Sequence, residues 1–158
     1  MALLVGKQHV NKVDKKGRIS VPKRFRDAFE QQGFRGLFAF PSFKFPAIET
    51  CGLSLMKRMS ESLDDLALFS DDRDDLVTVI MNNAEELPFD PEGRIVLPKE
   101  FLDHAGIESD AVFVGGGTRC QIWDPEKFSA HNKQAFANAR ARGATLPMRA
   151  SEPKDGGE

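Results

Sequence analysis

Asp14-Lys-Lys-Gly-Arg-Ile-Ser-Val-Pro-Lys-Arg-Phe25 recurs without a gap as Asp90-Pro-Glu-Gly-Arg-Ile-Val-Leu-Pro-Lys-Glu-Phe101, with seven of the twelve positions identical. Self-similarity at a fixed offset is the mark of one supersecondary unit used twice. Each copy can be read residue by residue. Asp14 and Asp90 open a turn in which a carboxylate can accept backbone N–H bonds, and Gly17 and Gly93 supply a position free of Cβ. Arg18-Ile19-Ser20-Val21 and Arg94-Ile95-Val96-Leu97 then place Ile and Val or Leu on one face of a strand, with Arg opposite. Pro22 and Pro98 stop the strand and suit the first turn of a helix. Phe25, Ala28 and Phe29, like Phe101, Leu102 and Ala105, follow at helical spacing. Gly33 and Gly106 close those helices in the left-handed conformation. Each unit is strand, tight turn, strand, short helix, strand.

The rest of the chain fits around this plan. Phe38/Phe40 and Phe43/Phe45 alternate, which predicts strand pieces interrupted at Pro41-Ser42. Leu53, Met56, Met59, Leu63 and Leu66 keep a helical period, and a second helix is expected from about Asp72 to Asn82. Glu85 to Phe89 leads into the second motif as a strand. Ala111 to Val114 and Arg119 to Trp123 flank Gly115-Gly116-Gly117-Thr118 as a hairpin. Asp124-Pro125 starts a helix running to about Arg142, and the Gly, Pro and charge of Gly143 to Glu158 predict a disordered tail.

The 158 residues and 41% apolar content suit a globular chain with a substantial core. No apolar stretch is long enough to cross a bilayer, and Met1 to Lys12 lacks the long apolar region of a signal peptide. Two unpaired-looking Cys, Cys51 and Cys120, agree with a reducing compartment. The expected location is cytoplasmic. A formal net charge of −2 conceals segregation: Lys7 to Arg26 carries eight basic residues against Asp14, while Ser60 to Glu92 carries eleven acidic residues against Arg73. Local field governs phosphate affinity, so a DNA-binding face is compatible with this composition. Solvated charged surfaces are the plainer reading of the same runs.

The paired Asp-x-x-Gly-Arg motifs resemble those of the MraZ family, within the wider D-x-x-G-R-[IV]-x-[VL]-P pattern, and Phe113 to Asp124 resembles that family's second-repeat hairpin. The likeness spans about residues 7 to 142. It implies an α+β, mainly β fold: a pseudo-two-fold, AbrB-like swapped-hairpin (double-psi-like) β-barrel built from two internal repeats, with peripheral helices. The expected organisation is a first repeat with linking helix over 1–75, a second repeat with C-terminal helix over 76–142, and the tail over 143–158, the repeats interlocking as one domain. It further implies a homo-oligomeric ring that binds double-stranded DNA at promoter direct repeats of the division and cell wall gene cluster, including its own gene. The family's DNA-contacting motif falls on Asp14 and Arg18, and on Asp90 and Arg94.

Elementary chemistry fits that implication. Arg can bond two acceptors of a guanine edge or clamp a phosphate, and a carboxylate beside it fixes its aim. Arg18 and Arg94 are the candidate base readers, with Lys15, Lys16, Lys23 and Arg24 placed to meet phosphates. Asp14, Gly17, Asp90 and Gly93 form the turn-bracing motif, and a purely structural Asp–Arg brace is the competing reading of the pair. Catalysis is not expected. One Asp per repeat is reminiscent of an aspartic-protease dyad, but an adjacent Arg holds each carboxylate ionised and opposes a shared proton. His9, His104, His131, Cys51 and Cys120 have no metal-ligand spacing, the three glycines lack a following GK[ST], and Ser20 has no evident base. No cofactor, membrane partner or small-molecule substrate is expected. The 13 Phe fall at strand and helix periods and read as core rather than as stacking platforms. Two alternatives remain open, a ring scaffold in which basic and acidic segments of neighbours pair, and an antitoxin-like or nucleoid-associated DNA-binding protein without strong sequence preference.

Overall fold

The computed structural model describes residues 3–151. Its elements are β1 (Asn11–Lys12), β2 (Arg18–Ser20), α1 (Lys23–Glu30), β3 (Gly36–Pro41), β4 (Ile48–Cys51), α2 (Leu53–Asp64), α3 (Asp71–Leu76), β5 (Glu85–Pro88), β6 (Arg94–Val96), α4 (Lys99–Ala105), β7 (Asp110–Gly115), β8 (Arg119–Trp123) and α5 (Pro125–Arg142). A π-helical turn over Val77–Asn82 continues α3. The fold is α+β and mainly strands, consistent with a swapped-hairpin barrel.

Strand pairing shows what the duplicated sequence is for. One antiparallel sheet runs β1-β7-β8-β4-β3-β5, and β2 and β6 form a separate two-stranded ribbon. The order is palindromic in the repeats. Leading strand β1 pairs with β7 of the second copy, Asn11 opposite Ala111, and leading strand β5 pairs with β3 of the first, Leu37 opposite Leu87. Each copy therefore lends its first strand to the other copy's hairpin. The two hairpins meet through β4 and β8, centred on Glu49 opposite Gln121.

Alternation then fills the interior. Ile19 and Ile95 face each other across the ribbon and are almost wholly buried, as are Val21 and Leu97 just beyond it. Phe25, Phe29 and Phe101 from the short helices join them, and Phe25 meets Phe113 edge to face at 6.4 Å. A smaller cluster of Ala47, Val112, Val114 and Trp123, with Phe45 and Phe128 packed on it, lies apart from that core.

Several expectations need correction. Phe43 to Phe45 is a bend, not a strand: the Ser42 hydroxyl accepts the backbone N–H groups of Lys44 and Phe45 at 3.2 and 3.0 Å, closing a local turn that leaves Phe43 exposed. The strand comes later, at Ile48–Cys51, where all four residues are buried and no alternation betrays it. The second linking helix exists, but its last turn is π-helical. Pro22 and Pro98 stand one position earlier than expected, as N-caps with extended ψ, so the proline ends the strand and the helix begins after it. Gly106 ends α4 in the left-handed region as expected, whereas α1 is capped by right-handed Gln31 and Gly33 turns the chain two residues on.

The contact pattern separates a compact unit ending at Phe128 from one beginning at Ser129. The second unit holds the rest of α5, in which no residue is buried. Of the expected tail, residues 144–151 have no regular secondary structure and are exposed; residues 152–158 lie outside the described residues.

Candidate nucleic-acid interface

Two turns with the same hydrogen-bond pattern frame the ribbon. In the first, Asp14 Oδ1 accepts the N–H groups of Lys16 and Arg18, both at 2.9 Å, and Oδ2 accepts Arg18 Nε at 2.5 Å. In the second, Asp90 Oδ1 accepts the N–H groups of Glu92 and Arg94, both at 2.9 Å, and Oδ2 accepts Arg94 Nε at 2.8 Å. A carboxylate at the start of a turn can do both jobs only if the chain reverses tightly between it and the Arg. That reversal is where glycine matters: Gly17 and Gly93 have φ of +83° and +77°, in the left-handed region. The turns also lock the repeats together, since Gly17 O accepts Leu97 N–H at 2.8 Å and Gly93 O accepts Val21 N–H at 3.0 Å.

These bonds set the electrostatics. The Arg18 backbone N–H holds the Asp14 carboxyl below the usual carboxylate range, partial burial opposing it and the Arg18 side chain and Lys16 N–H adding to it. The Arg94 backbone N–H does the same for Asp90. The Asp90 carboxylate in turn raises the Arg94 guanidinium, with Glu92 and Asp14 contributing. Asp14, Asp90 and Arg94 therefore stay charged near neutrality.

Antiparallel register places Arg18 opposite Val96 and Ser20 opposite Arg94. Because successive side chains alternate, Arg18, Ser20, Arg94 and Val96 share the outer face of the ribbon while Ile19 and Ile95 share the inner one. Arg18 and Arg94 are diagonal neighbours on that face, roughly 7–8 Å apart at Cα for such a pair. Val96 is 54% exposed, an unusual position for a large apolar side chain in a strand. Asn11 Nδ2 steadies the ribbon by donating to Ser20 O at 2.8 Å.

The turns are alike in geometry and unlike in surroundings. Lys15 and Lys16 are exposed at the tip of the first, bordering a cleft of about 410 Å³ that Lys99 and Leu102 line from the other repeat. The second carries Glu92, whose carboxylate is 3.3 Å from Arg94 Nη2. It is also covered: Arg26 donates to Val21 O at 3.0 Å, and its guanidinium lies where a Cβ on Gly93 would stand. Of the remaining sequence-derived candidates, Lys23 is exposed and ion-paired with Asp27 at 2.9 Å. Arg24 is exposed near Asp27, Leu3 and Val5. Thus Asp14, Gly17, Arg18, Asp90, Gly93 and Arg94 come together on the ribbon and its turns, Lys15 and Lys16 flank it, and Lys23 and Arg24 are the first two residues of α1. Ser20, considered from sequence only as a nucleophile without a base, and Val96 are not among the predicted DNA contacts; their alternation with Ile was the available signal, but only the β2–β6 pairing puts them beside the arginines.

The family description "MraZ protein, putative antitoxin-like" matches residues 80–146, which include the second turn, β6 and the second hairpin. The chain is 40% identical over 139 residues to the transcriptional regulator MraZ of Rickettsia akari (strain Hartford), covering 88% of this chain and 93% of that protein. It is 37% identical over 146 residues to the transcriptional regulator MraZ of Rickettsia bellii (strain OSU 85-389), covering 92% and 97%. The chain belongs to the MraZ family. Its relatives in that family are named transcriptional regulators, and the residues that match the family description contain the second Asp-x-x-Gly-Arg turn. Among the described residues of this family member no helix is long and apolar enough to cross a membrane.

Proposed function

We propose that this member of the MraZ family is a sequence-specific DNA-binding regulator whose β2–β6 ribbon is the reading element. The observation that carries the reading is the outer face of that ribbon, where two arginines, each aimed by its own aspartate, stand diagonally beside Ser20 and Val96. A two-stranded ribbon fits the major groove, Arg pairs bidentately with guanine, and an apolar group meets the thymine methyl. In this reading Arg18 and Arg94 contact base edges, Lys15, Lys16, Lys23 and Arg24 meet phosphates, and Asp14, Gly17, Asp90 and Gly93 hold the turns. Arg18 is the stronger contact, because Glu92 draws on Arg94 while Lys15 and Lys16 add positive field beside Arg18.

The DNA is double-stranded promoter sequence with direct repeats upstream of the division and cell wall gene cluster, the protein's own gene included. A homo-oligomeric ring would present one ribbon per subunit at regular spacing, matching a repeated site. Residues 1–75 and 76–142 act as two repeats of one interlocked domain, which the exchange of β1 and β5 supports. The protein acts in the cytoplasm on the nucleoid and is not an enzyme. A scaffold reading draws support from Leu68 and Phe69, exposed at 68% and 84% between α2 and the acidic α3, which are suited to a contact with a neighbouring subunit.

Fluorescence anisotropy at two salt concentrations tests the proposal, using a duplex from upstream of the protein's own gene and a scrambled duplex. Wild type should prefer its own duplex, and log K should fall with log salt by about 0.9 per phosphate neutralised. Equal, weak binding to both duplexes would favour the scaffold.

A further inference from the structure

Glu49 lies in the middle of β4, opposite Gln121, and is only 8% exposed. Its Oε2 accepts Gln121 Nε2 at 2.9 Å, and Gln121 Oε1 accepts Trp123 Nε1 at 2.8 Å. The indole thereby fixes which way the amide points and commits its NH2 group to Oε2. Oε1 is enclosed and has no hydrogen-bond partner among the described residues. An enclosed carboxylate oxygen without a donor is costly, so its persistence calls for a group that meets it.

Glu49 lines a cavity of about 260 Å³ together with Phe40, Phe43, Phe45, Lys44 and Arg119. Met59 of α2 and Ile80 of the π-helical turn border it from the linking helices, and π-turns recur at functional sites. None of these residues belongs to the DNA ribbon or its turns. Carboxylate and aromatic rings together favour a cation, the first through a charge-assisted hydrogen bond and the second through the ring quadrupole. Lys44 and Arg119 oppose a ligand that is only positive, and favour one that also carries an anionic group. The volume falls below the range of drug-sized pockets, which limits the ligand to about the size of an amino acid.

The geometry points to a binding site for a small zwitterion of the amino-acid class, with an ammonium on the Glu49 carboxyl group, a short apolar stem among Phe40, Phe43 and Phe45, and a carboxylate toward Lys44 and Arg119. This departs from the expectation that the protein binds no small molecule, and it stands whether or not the ribbon reads DNA.

The test uses the full chain and three probes: ε-aminocaproate, which has both charges, n-hexylamine, which has only the cation, and caproate, which has only the anion. Binding is followed by calorimetry and by the fluorescence of Trp123, the sole tryptophan, which connects to Glu49 through Gln121. ε-Aminocaproate should bind once per chain and more tightly than either single-charge probe, and Glu49→Gln should weaken it by about tenfold or more, as expected for a lost hydrogen bond to a charged group. Arg119→Ala, at an exposed position that leaves the core intact, should weaken it by about two- to fivefold. Absence of binding at millimolar ε-aminocaproate, affinity unchanged in Glu49→Gln or in Arg119→Ala, or hexylamine binding as tightly as the zwitterion would each overturn the assignment.

Discussion

Replacing Gly17 by Ala measures how strongly the turns lock the two repeats. A Cβ at Gly17 would stand 2.6 Å from Leu97 O, a backbone atom, and the backbone there has φ +83°. Left-handed backbone costs a residue with a Cβ about 1–2 kcal/mol. Relieving the contact must move Leu97 away from the turn, which loosens the Leu97 N–H to Gly17 O bond of 2.8 Å, a further loss of about 0.5–1.5 kcal/mol. The sum is about 1.5–3.5 kcal/mol. Gly33 is the control, with φ +96° and nothing within 4 Å of its Cβ, so Gly33→Ala should cost only the backbone share. Gly93→Ala should fall between, because its Cβ meets the Arg26 side chain instead of backbone. Urea denaturation at one protein concentration reads all three. Equal losses for Gly17→Ala and Gly33→Ala, with unchanged m, would refute the claim that the first turn is pressed against the second repeat.

The remaining expectations concern charge, thiols and core. The Asp14 and Asp90 carboxyls titrate below their ordinary value of about 3.9, so their stabilisation is present above that pH and lost as pH falls through the lower, folded values. The double variant Asp14→Asn/Asp90→Asn should therefore show a shallower acid limb in a circular-dichroism titration; a limb identical to wild type would count against the turns as charged braces. Burial pushes the Cys51 and Cys120 thiols up to about 12, so a thiol reagent at neutral pH should label them only after denaturation, and rapid labelling of the native protein would contradict the buried placement. Phe113→Ala, at a fully buried ring, should cost about 3–5 kcal/mol. Phe43→Ala, at an exposed one, should stay within about 0.5 kcal/mol by the same urea measurement. Similar losses for the two would show that residues 43–45 pack as a strand after all.

Legibility followed periodicity. The turn, ribbon and short helices were readable because Asp, Gly, Arg and Pro each do one local job there, and the second occurrence of the motif repeated the reading. Ile48–Cys51 was not readable, since a strand buried on both faces shows no alternation, and its Glu49 and Thr50 argue for surface by composition. Thr50 is satisfied only in three dimensions, its hydroxyl donating to Cys120 O at 2.8 Å. Phe43 and Phe45 misled for the opposite reason, their spacing of two arising from a turn closed by Ser42. The exchange of β1 and β5 has no local signal at all; it entered as an implication of the family resemblance and is visible only in the pairing. In the candidate site, Arg18 and Arg94 were legible from the motif, whereas Val96 and Ser20 required the register, and the cover that Arg26 places over Gly93 required packing.

The most direct test of the central claim is the own-duplex preference, over a scrambled duplex, of wild type, Arg18→Ala, Arg94→Ala and the double variant, each first shown to be folded and of wild-type assembly size. If one ribbon face reads DNA, Arg18→Ala should lose about 1–3 kcal/mol of preference and Arg94→Ala a smaller part. The double variant should fall short of the sum, because neighbouring contacts on one face are coupled. Preference retained in Arg18→Ala, or retained in the double variant, would place the reading surface elsewhere on the molecule and contradict the account.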